Sequence, residues 1–390
     1  MPFNYVILGT GRQGVAIAYD LAKNCEAASV TLADVNPEAA NNASSRLTKL
    51  LPSATCQFIP VKCDVANSND VANAIKGADV VVSAVPYRFN VELTDAAIAA
   101  GTSSCDLGGN TGIVREQLRR DKAAVSAGVS IIPDCGLAPG LGNHLAAHGI
   151  ASLDEPEHVH IRCGGLPEKP VGPLGYKLLF NIEGLINEYS GHGEFLRDGR
   201  LAKIQTLTEI EEIEFPLPIG KCEAAVTSGG TSTCPDTYLG RLRTYDYKTI
   251  RYPGHFAIMR AMMELGFFKD EVKLRDGTTF NPGVISRWLL EDRLDFPDVR
   301  DIVLLRVTVE GRHQGRERTL QYDLCDRHDE KTGFSAMERT TGFPTALVAY
   351  MQARGLTTPG ARPLEVAVPA KQFFDELPLH DINVNVQIKD

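Results

Sequence analysis

Glycines at 9, 11 and 14 stand between an apolar run, Tyr5-Val6-Ile7-Leu8, and a helix-like stretch, Val15 to Leu21. A second apolar run, Ser29 to Ala33, ends in Asp34, about 20 residues after Gly14. Strand, glycine-rich turn, helix, strand and acid in this order restrict the chain's beginning to a βαβ unit with a dinucleotide-holding turn. In such a unit Gly9 permits the tight turn, Gly11 lets backbone approach a pyrophosphate, and Gly14 lets the helix close on the strand. The helix start offers free N–H groups and the positive end of a dipole. Arg12 adds a charged contact beside Gln13. Asp34 can accept bonds from ribose hydroxyls and would repel a 2′-phosphate. Val35, Asn36 and Pro37 follow, with no Arg or Lys, so NAD is expected rather than NADP. The plainer role for Asp34 is to cap the helix that Pro37 opens.

The βαβ rhythm continues. Strand-like runs are Tyr5–Leu8, Ser29–Ala33, Cys56–Val61, Val80–Ala84, Ser103–Leu107 and Val129–Ile132. Helix-like stretches lie between them at Pro37–Leu50, Ser68–Lys76, Val91–Ala100 and Ile113–Ala127. The pattern predicts a doubly wound parallel sheet of the Rossmann kind. Asp64 falls at a strand end where adenine would lie. Ala84 and Val85 fall near the switch point where ligands bind such sheets.

After Asp134 the rhythm breaks in a Gly- and Pro-rich stretch to His144, read as a crossover to a second domain. The strand-like runs there are 158–163, 209–215, 223–227, 243–250, 301–310 and 319–325, with helices at Phe256–Leu265 and Pro282–Leu290. An α+β domain with a mixed or antiparallel sheet is expected. Pro344–Arg354 reads as a helix able to return to the first domain. The expected division is 1–135, 136–335 and 336–390, the last segment completing the first domain.

A length of 390 residues suits about two domains, and 43% apolar with 23% charged residues is ordinary for a globular protein. A net charge of −9 argues against nucleic acid or an anionic membrane as partner. Nine scattered cysteines, without a CxxC, suggest reduced thiols and no metal site. No signal-like start and no 18-residue apolar run are present, so a cytoplasmic protein is expected.

Beyond the crossover, polar residues gather on Gly-rich stretches: Gly164–Pro167, Pro173–Gly184, Thr227–Thr233 and Tyr245–His255. Arg251 could clamp a carboxylate bidentately. Lys177, His144 or His255 could move protons if burial or neighbours tune them. Tyr176 and Thr231 supply hydroxyls for a polar substrate, and the Ser/Thr run can equally be turn chemistry. His313 and His328 sit in charged stretches and are expected to be plain surface residues.

The ordered stretches GTGRQG at Gly9, SAVPYRFN at Ser83, CDLGGNTG at Cys105, IIPDCGLAPGLGN at Ile131, CGGLPEKP at Cys163, TSGGTST at Thr227 and YKTIRYPGH at Tyr247 carry a family resemblance. The chain resembles the saccharopine dehydrogenase-like family, most closely its lysine 6-dehydrogenase branch. The resemblance implies a Rossmann domain plus a second domain that binds substrate and helps form a homodimer. It implies oxidation of a C–N bond beside a lysine-derived ε-nitrogen. The Asp106–Gly109 loop, Asp106 and Gly108 included, is expected near the nicotinamide. The expected reaction is NAD-dependent deamination of L-lysine to 2-aminoadipate 6-semialdehyde. The alternatives are a saccharopine or carboxylated-polyamine dehydrogenase, needing a second anchor from Arg162, Arg241 or Arg243, and a non-catalytic NAD sensor.

Overall fold

The computed structural model describes residues 2–390. Among these, the first sheet is built from β1 (Phe3–Leu8), β2 (Ala27–Asp34), β3 (Gln57–Lys62), β4 (Val80–Ser83), β5 (Ser103–Asp106) and β6 (Ser130–Ile132). The intervening helices are α1 (Arg12–Asn24), α2 (Pro37–Leu50), α3 (Ser68–Ala74), α4 (Asn90–Ala100), α5 (Thr111–Leu118) and α6 (Asp121–Ala127). All six strands run parallel, in the order β3-β2-β1-β4-β5-β6. The switch point lies between β1 and β4, as a Rossmann sheet requires. The expected helix over Ile113–Ala127 is interrupted between Leu118 and Asp121.

The Gly- and Pro-rich crossover does not stay irregular. It delivers α7 (Leu141–Ala151), whose start Asn143 braces by accepting the Gly140 N–H at 2.9 Å. The second domain then follows with β7 (Glu155–Pro167), α8 (Ile182–Tyr189), β8 (His192–Arg197), β9 (Arg200–Gln205), β10 (Glu211–Phe215), β11 (Gly220–Val226), α9 (Cys234–Thr237), β12 (Thr244–Arg251) and α10 (His255–Glu264). A short hairpin, β13 (Val272–Lys273) with β14 (Thr279–Phe280), precedes α11 (Pro282–Arg293), β15 (Asp301–His313) and β16 (Arg316–Arg327). The chain ends with α12 (Ala336–Ala353), β17 (Gly360–Ala361), α13 (Leu364–Ala367), α14 (Ala370–Glu376) and β18 (Asn385–Lys389). The second sheet is mixed, in the order β10-β11-β12-β7-β15-β16-β18, with β8 and β9 joined at β12. The β8–β9 hairpin escaped the sequence because β9 is largely exposed and the two strands carry one β-branched residue, Ile204.

The C-terminal segment serves both sheets. β17 extends the first sheet beside β6, whereas β18 pairs with β16 of the second, so residues 336–390 do not all return to the first domain. The helix expected from Pro344 starts earlier, at Ala336, with Pro344 inside it. A proline there removes one helical hydrogen bond, and burial of Phe343, Ala346, Leu347 and Val348 offsets that loss. The true start is set by a capping box. Ser335 Oγ accepts the Glu338 N–H at 3.1 Å, and Glu338 Oε2 accepts the Ser335 N–H at 2.7 Å. Asp301, at the head of β15, accepts the N–H groups of Ala336 and Met337 at 2.9 and 3.0 Å, tying the second sheet to this helix. α12 lies close on α1 because Gly342 has no Cβ; one there would fall 2.9 Å from the Ala16 Cβ. His380 Nδ1 meets the buried Asp20 carboxylate at 2.5 Å and pins the chain's end to α1. No helix among the described residues is long and apolar enough to cross a membrane.

Candidate functional site

The turn after β1 is shaped as its glycines require. Gly9 has a φ of 95°, and a Cβ there would lie 2.8 Å from the Ala84 carbonyl oxygen and 2.9 Å from Val85 Cγ1. A Cβ on Gly14 would overlap the Gly9 carbonyl oxygen. At Gly11 the opposite holds: no protein atom lies within 4 Å of where a Cβ would be. Gly11 is also the N-cap of α1 and gives it no side-chain cap, so the first N–H groups remain for an anion. The shape and donor set fit a dinucleotide pyrophosphate. Arg12 is exposed at this turn, while Gln13 turns inward and donates to the Met337 carbonyl at 3.3 Å.

Asp34 closes the far side of the turn. Its Oδ2 accepts from the Thr10 N–H at 2.8 Å and hydroxyl at 2.9 Å, and its Oδ1 from the Asn36 N–H at 2.9 Å. Partial burial pushes its pKa up, but the Thr10 and Asn36 donors outweigh that and hold it below the usual value. Asp34 is thus a preorganised carboxylate at the end of β2. Asp64 is exposed after β3 and caps its own turn, accepting the Ala66 N–H at 3.0 Å.

At the other end of the switch point, Asp106 is buried and turned inward. It accepts from Gln117 Nε2 and the Gly108 N–H, both at 2.7 Å, and from the Asp134 N–H at 3.3 Å. It shapes the Gly108–Gly109 loop rather than presenting a carboxylate to a ligand. Both glycines have positive φ, 71° and 117°, and Asp134 Oδ1 occupies the space a Cβ on Gly108 would need.

Asp134 is the residue that sequence reasoning passed over. It sits just beyond β6 with a φ of 61°, is 5% exposed, and accepts a hydrogen bond from the Ser232 hydroxyl of the second domain. Its Oδ1 has no hydrogen-bond partner. Burial pushes its pKa up to about 7, and the Asp106 charge adds to this. The Ser232 hydroxyl and the nearby Gly109 N–H, which does not complete a bond to Oδ1, oppose it. The signal for it was the polar residue at the end of the last parallel strand, where the sequence showed only a crossover.

The second-domain cluster centres on Arg251, at the end of β12 and 2% exposed. Its Nε donates to the Tyr189 hydroxyl at 2.8 Å, Nη1 to the Ile250 carbonyl at 2.8 Å, and Nη2 to Glu188 at 3.4 Å. The guanidinium also lies 4.7 Å from the Tyr176 ring centre. Burial opposes its charge, but Tyr189, Tyr176 and Glu188 outweigh this and Arg251 stays protonated. Glu188 accepts in addition from the Thr249 hydroxyl, which also meets Thr227 at 2.8 Å. The Tyr176 hydroxyl is buried and unpartnered, and burial pushes its pKa up to about 12.

Lys177 is half-buried and donates to the Val299 carbonyl at 2.7 Å. Burial lowers its pKa; Asp301 opposes this and Arg12 adds to it.

Both histidines expected to move protons are corrected by the structure. His144 is 1% exposed on α7, its ring 4.3 Å from that of Phe373, with neither nitrogen partnered. Burial, with His148 adding, drives its pKa down to about 3. It is a neutral core residue. His255 is also buried, with Nδ1 donating to the Leu174 carbonyl at 3.0 Å and Nε2 accepting from Tyr189 at 2.9 Å. Burial, then the Arg251 charge, lowers its pKa to about 3, so it orients Tyr189 rather than carrying protons. Thr231 is likewise a brace: its hydroxyl donates to the Glu194 carbonyl at 2.8 Å and its carbonyl accepts from Asn143 at 3.2 Å. Arg162 is committed to Asp246 at 2.7 Å and to Glu211. Arg241 and Arg243 are exposed.

The geometry agrees with what the chain is similar to. Residues 5–132 match the Saccharopine dehydrogenase NADP binding domain, and residues 136–382 match the Saccharopine dehydrogenase C-terminal domain. The NADP(+), L-glutamate-forming saccharopine dehydrogenase of Saccharomyces cerevisiae is 25% identical over 223 residues, covering 54% of this chain and 48% of the yeast protein. The mitochondrial alpha-aminoadipic semialdehyde synthase of Bos taurus is 22% identical over 77% of this chain and 40% of its own length. The chain therefore spans about half the length, or less, of these relatives. Among solved structures, the apo L-Glu-forming saccharopine dehydrogenase of Saccharomyces cerevisiae superposes over 100% of both chains with a TM-score of 0.77 at 19% identity. The NAD complex of homospermidine synthase from Legionella pneumophila gives 0.66 at 11% identity, over 100% of this chain and 92% of that one. These two show the shared fold. With both domain families matched in order along nearly the whole chain, the protein belongs to the saccharopine dehydrogenase family.

Proposed function

We propose that the chain oxidises the ε C–N bond of L-lysine with NAD, and that water adds to the resulting imine to give 2-aminoadipate 6-semialdehyde and ammonia. One observation carries this reading: an open nucleotide turn at Gly11 is combined with a buried cluster holding both a cation, Arg251, and an anion, Glu188. Such a charge pair suits a zwitterionic amino acid. Arg251 spends three of its five N–H donors on Tyr189, Ile250 and Glu188. The other two are assigned to the substrate α-carboxylate, with the free Tyr176 hydroxyl beside them. Lys177, with its lowered pKa, takes the proton from the ε-ammonium. Asp34 favours NAD because it holds a charge-stabilised carboxylate where a 2′-phosphate would fall. When bound, the nicotinamide supplies the hydride acceptor; the chain's own part is orientation and proton transfer.

A homodimer through the second domain belongs to the same reading. Leu265 and Trp288, 76% and 66% exposed, lie with Ile258, Phe267 and Val284 in one stretch of that domain.

A second reading, a saccharopine dehydrogenase, is favoured by the names of the relatives. It needs further carboxylate anchors, for which only the exposed Arg241 and Arg243 remain of those considered. The test is NADH formation from lysine, from saccharopine and from buffer alone, with ammonia and glutamate measured. Lysine-dependent ammonia supports the first reading. Saccharopine-dependent glutamate replaces it with the second, and NAD binding without turnover of either overturns both.

A further inference from the structure

Three segments remote in sequence meet around a small cavity: the end of β6, the loop after β11 and α13. Its lining includes Asp134, Asn143, Ser232, Thr233 and Glu365. Its volume of about 10 Å³ is roughly that of one water. Asp134 contributes a buried carboxylate whose Oδ1 has no partner. Glu365 Oε1 accepts from the Thr237 hydroxyl at 2.6 Å and the Thr233 hydroxyl at 3.2 Å. Asp134 also contacts the Gly108 loop, which follows β5 at the carboxyl end of the strands, where such sheets bind ligands. Glu365 is only partly buried, and Thr237 is exposed, so this side of the cavity leads outward.

We propose that Asp134 and Glu365 form a proton path that carries the proton released by amine oxidation from the nicotinamide end of the cleft, through one water, to the surface. This inference rests on the dehydrogenase reading. In that reaction the hydride and its electron pair pass from the ε-carbon to the nicotinamide. One proton per turnover must leave, and Asp134 receives it, becoming a neutral acid. The water hands a proton to the Glu365 carboxylate while Asp134 returns its own to that water. Glu365 then releases its proton to solvent, and no further co-reactant is needed.

The electrostatics favour protonation of both carboxyls. Burial pushes Asp134 up to about 7, with Asp106 from β5 and Glu365 from α13 adding and Ser232 opposing. Burial raises Glu365 as well, while Thr237, Thr233 and Cys234 hold it back. Asp106 is not a member, because its own bonds to Gln117, Gly108 and Asp134 use it up.

Infrared titration of the full chain, without cofactor or substrate, tests the pair independently of any activity. The expected result is a protonated-carboxyl band that disappears as pH rises through about 7. Asp134→Asn removes the band, and Glu365→Gln shifts its midpoint down by taking away a neighbouring charge. Gln keeps the contacts to Thr233 and Thr237, and a thermal melt checks that the variant is folded. A wild-type chain without the band, or a midpoint untouched by Glu365→Gln, overturns the proposal. With whichever amine reduces NAD, Glu365→Gln should lower kcat about tenfold, leave KM unchanged and enlarge the solvent deuterium effect. An unchanged solvent effect also overturns it. If no amine reduces NAD, the dehydrogenase reading falls and the path's role falls with it, while the infrared result still decides whether the two carboxyls share a proton.

Discussion

Arg251 and Tyr189 are joined by a hydrogen bond of 2.8 Å inside the second domain, and Tyr189 passes the polarity on to His255. The Leu174 carbonyl requires the proton of His255 on Nδ1, which makes Nε2 an acceptor for the Tyr189 hydroxyl. Tyr189→Phe therefore strands both the Arg251 Nε–H and His255 Nε2 in a buried place. Leaving such groups unpaired costs about 1–3 kcal/mol each. A lower urea midpoint with NAD affinity kept is the expected outcome; an unchanged midpoint would show that the relay contributes nothing.

The nucleotide turn separates glycines needed for packing from the one needed for a ligand. Gly14→Ala drives a methyl into the Gly9 carbonyl, an overpacking worth about 1–3 kcal/mol of stability. Gly11→Ala meets no protein atom and leaves the melting temperature in place, yet its methyl occupies the approach of the pyrophosphate. Calorimetry should show NAD binding weakened more than about tenfold in Gly11→Ala, or about 1.4 kcal/mol. Full affinity in that variant would mean that the cofactor lies elsewhere.

Asp34→Ala removes the carboxylate held by Thr10 and Asn36. NAD affinity is expected to fall and NADP affinity to rise, moving their ratio by roughly tenfold. Fluorescence titration with the two reduced cofactors measures this, and a wild-type chain that already prefers NADP would refute the assignment.

His144 makes the fold sensitive to acid. Its pKa lies near 3 in the folded chain, against 6.5 for an unperturbed histidine. The folded state thus excludes a proton that the unfolded chain binds. Stability is complete above 6.5 and is lost as pH falls toward 3, by about 2 kcal/mol at about pH 5. His144→Leu keeps an apolar residue against Phe373 and removes two unpartnered nitrogens. Denaturant unfolding should show a more stable variant whose gain over wild type widens between pH 7 and 5; a gain independent of pH would contradict the depressed pKa.

The parts of this protein that could be read in the chain are those written in short intervals. The spacing of Gly9, Gly11, Gly14 and Asp34, and the alternation of apolar runs, give the parallel sheet and its nucleotide turn because both are local patterns. α12 begins well before Pro344, where a proline suggests a helix start, because the Ser335–Glu338 box and Asp301 across the domain boundary hold its first turn. His144 and His255 stand out as titratable groups on a Gly-rich chain, and no interval in the sequence reveals that each is sealed in a core.

By itself, then, the sequence determined the fold class, the dinucleotide turn and the residues from which a polar site is drawn. Only the tertiary structure decided which of those residues are usable. Arg251 draws its partners from Tyr189 and Glu188, and Asp134 finds Ser232 far along the chain. Burial and pairing set the charge of each group, and both arise from contacts between segments that sequence periodicity does not encode.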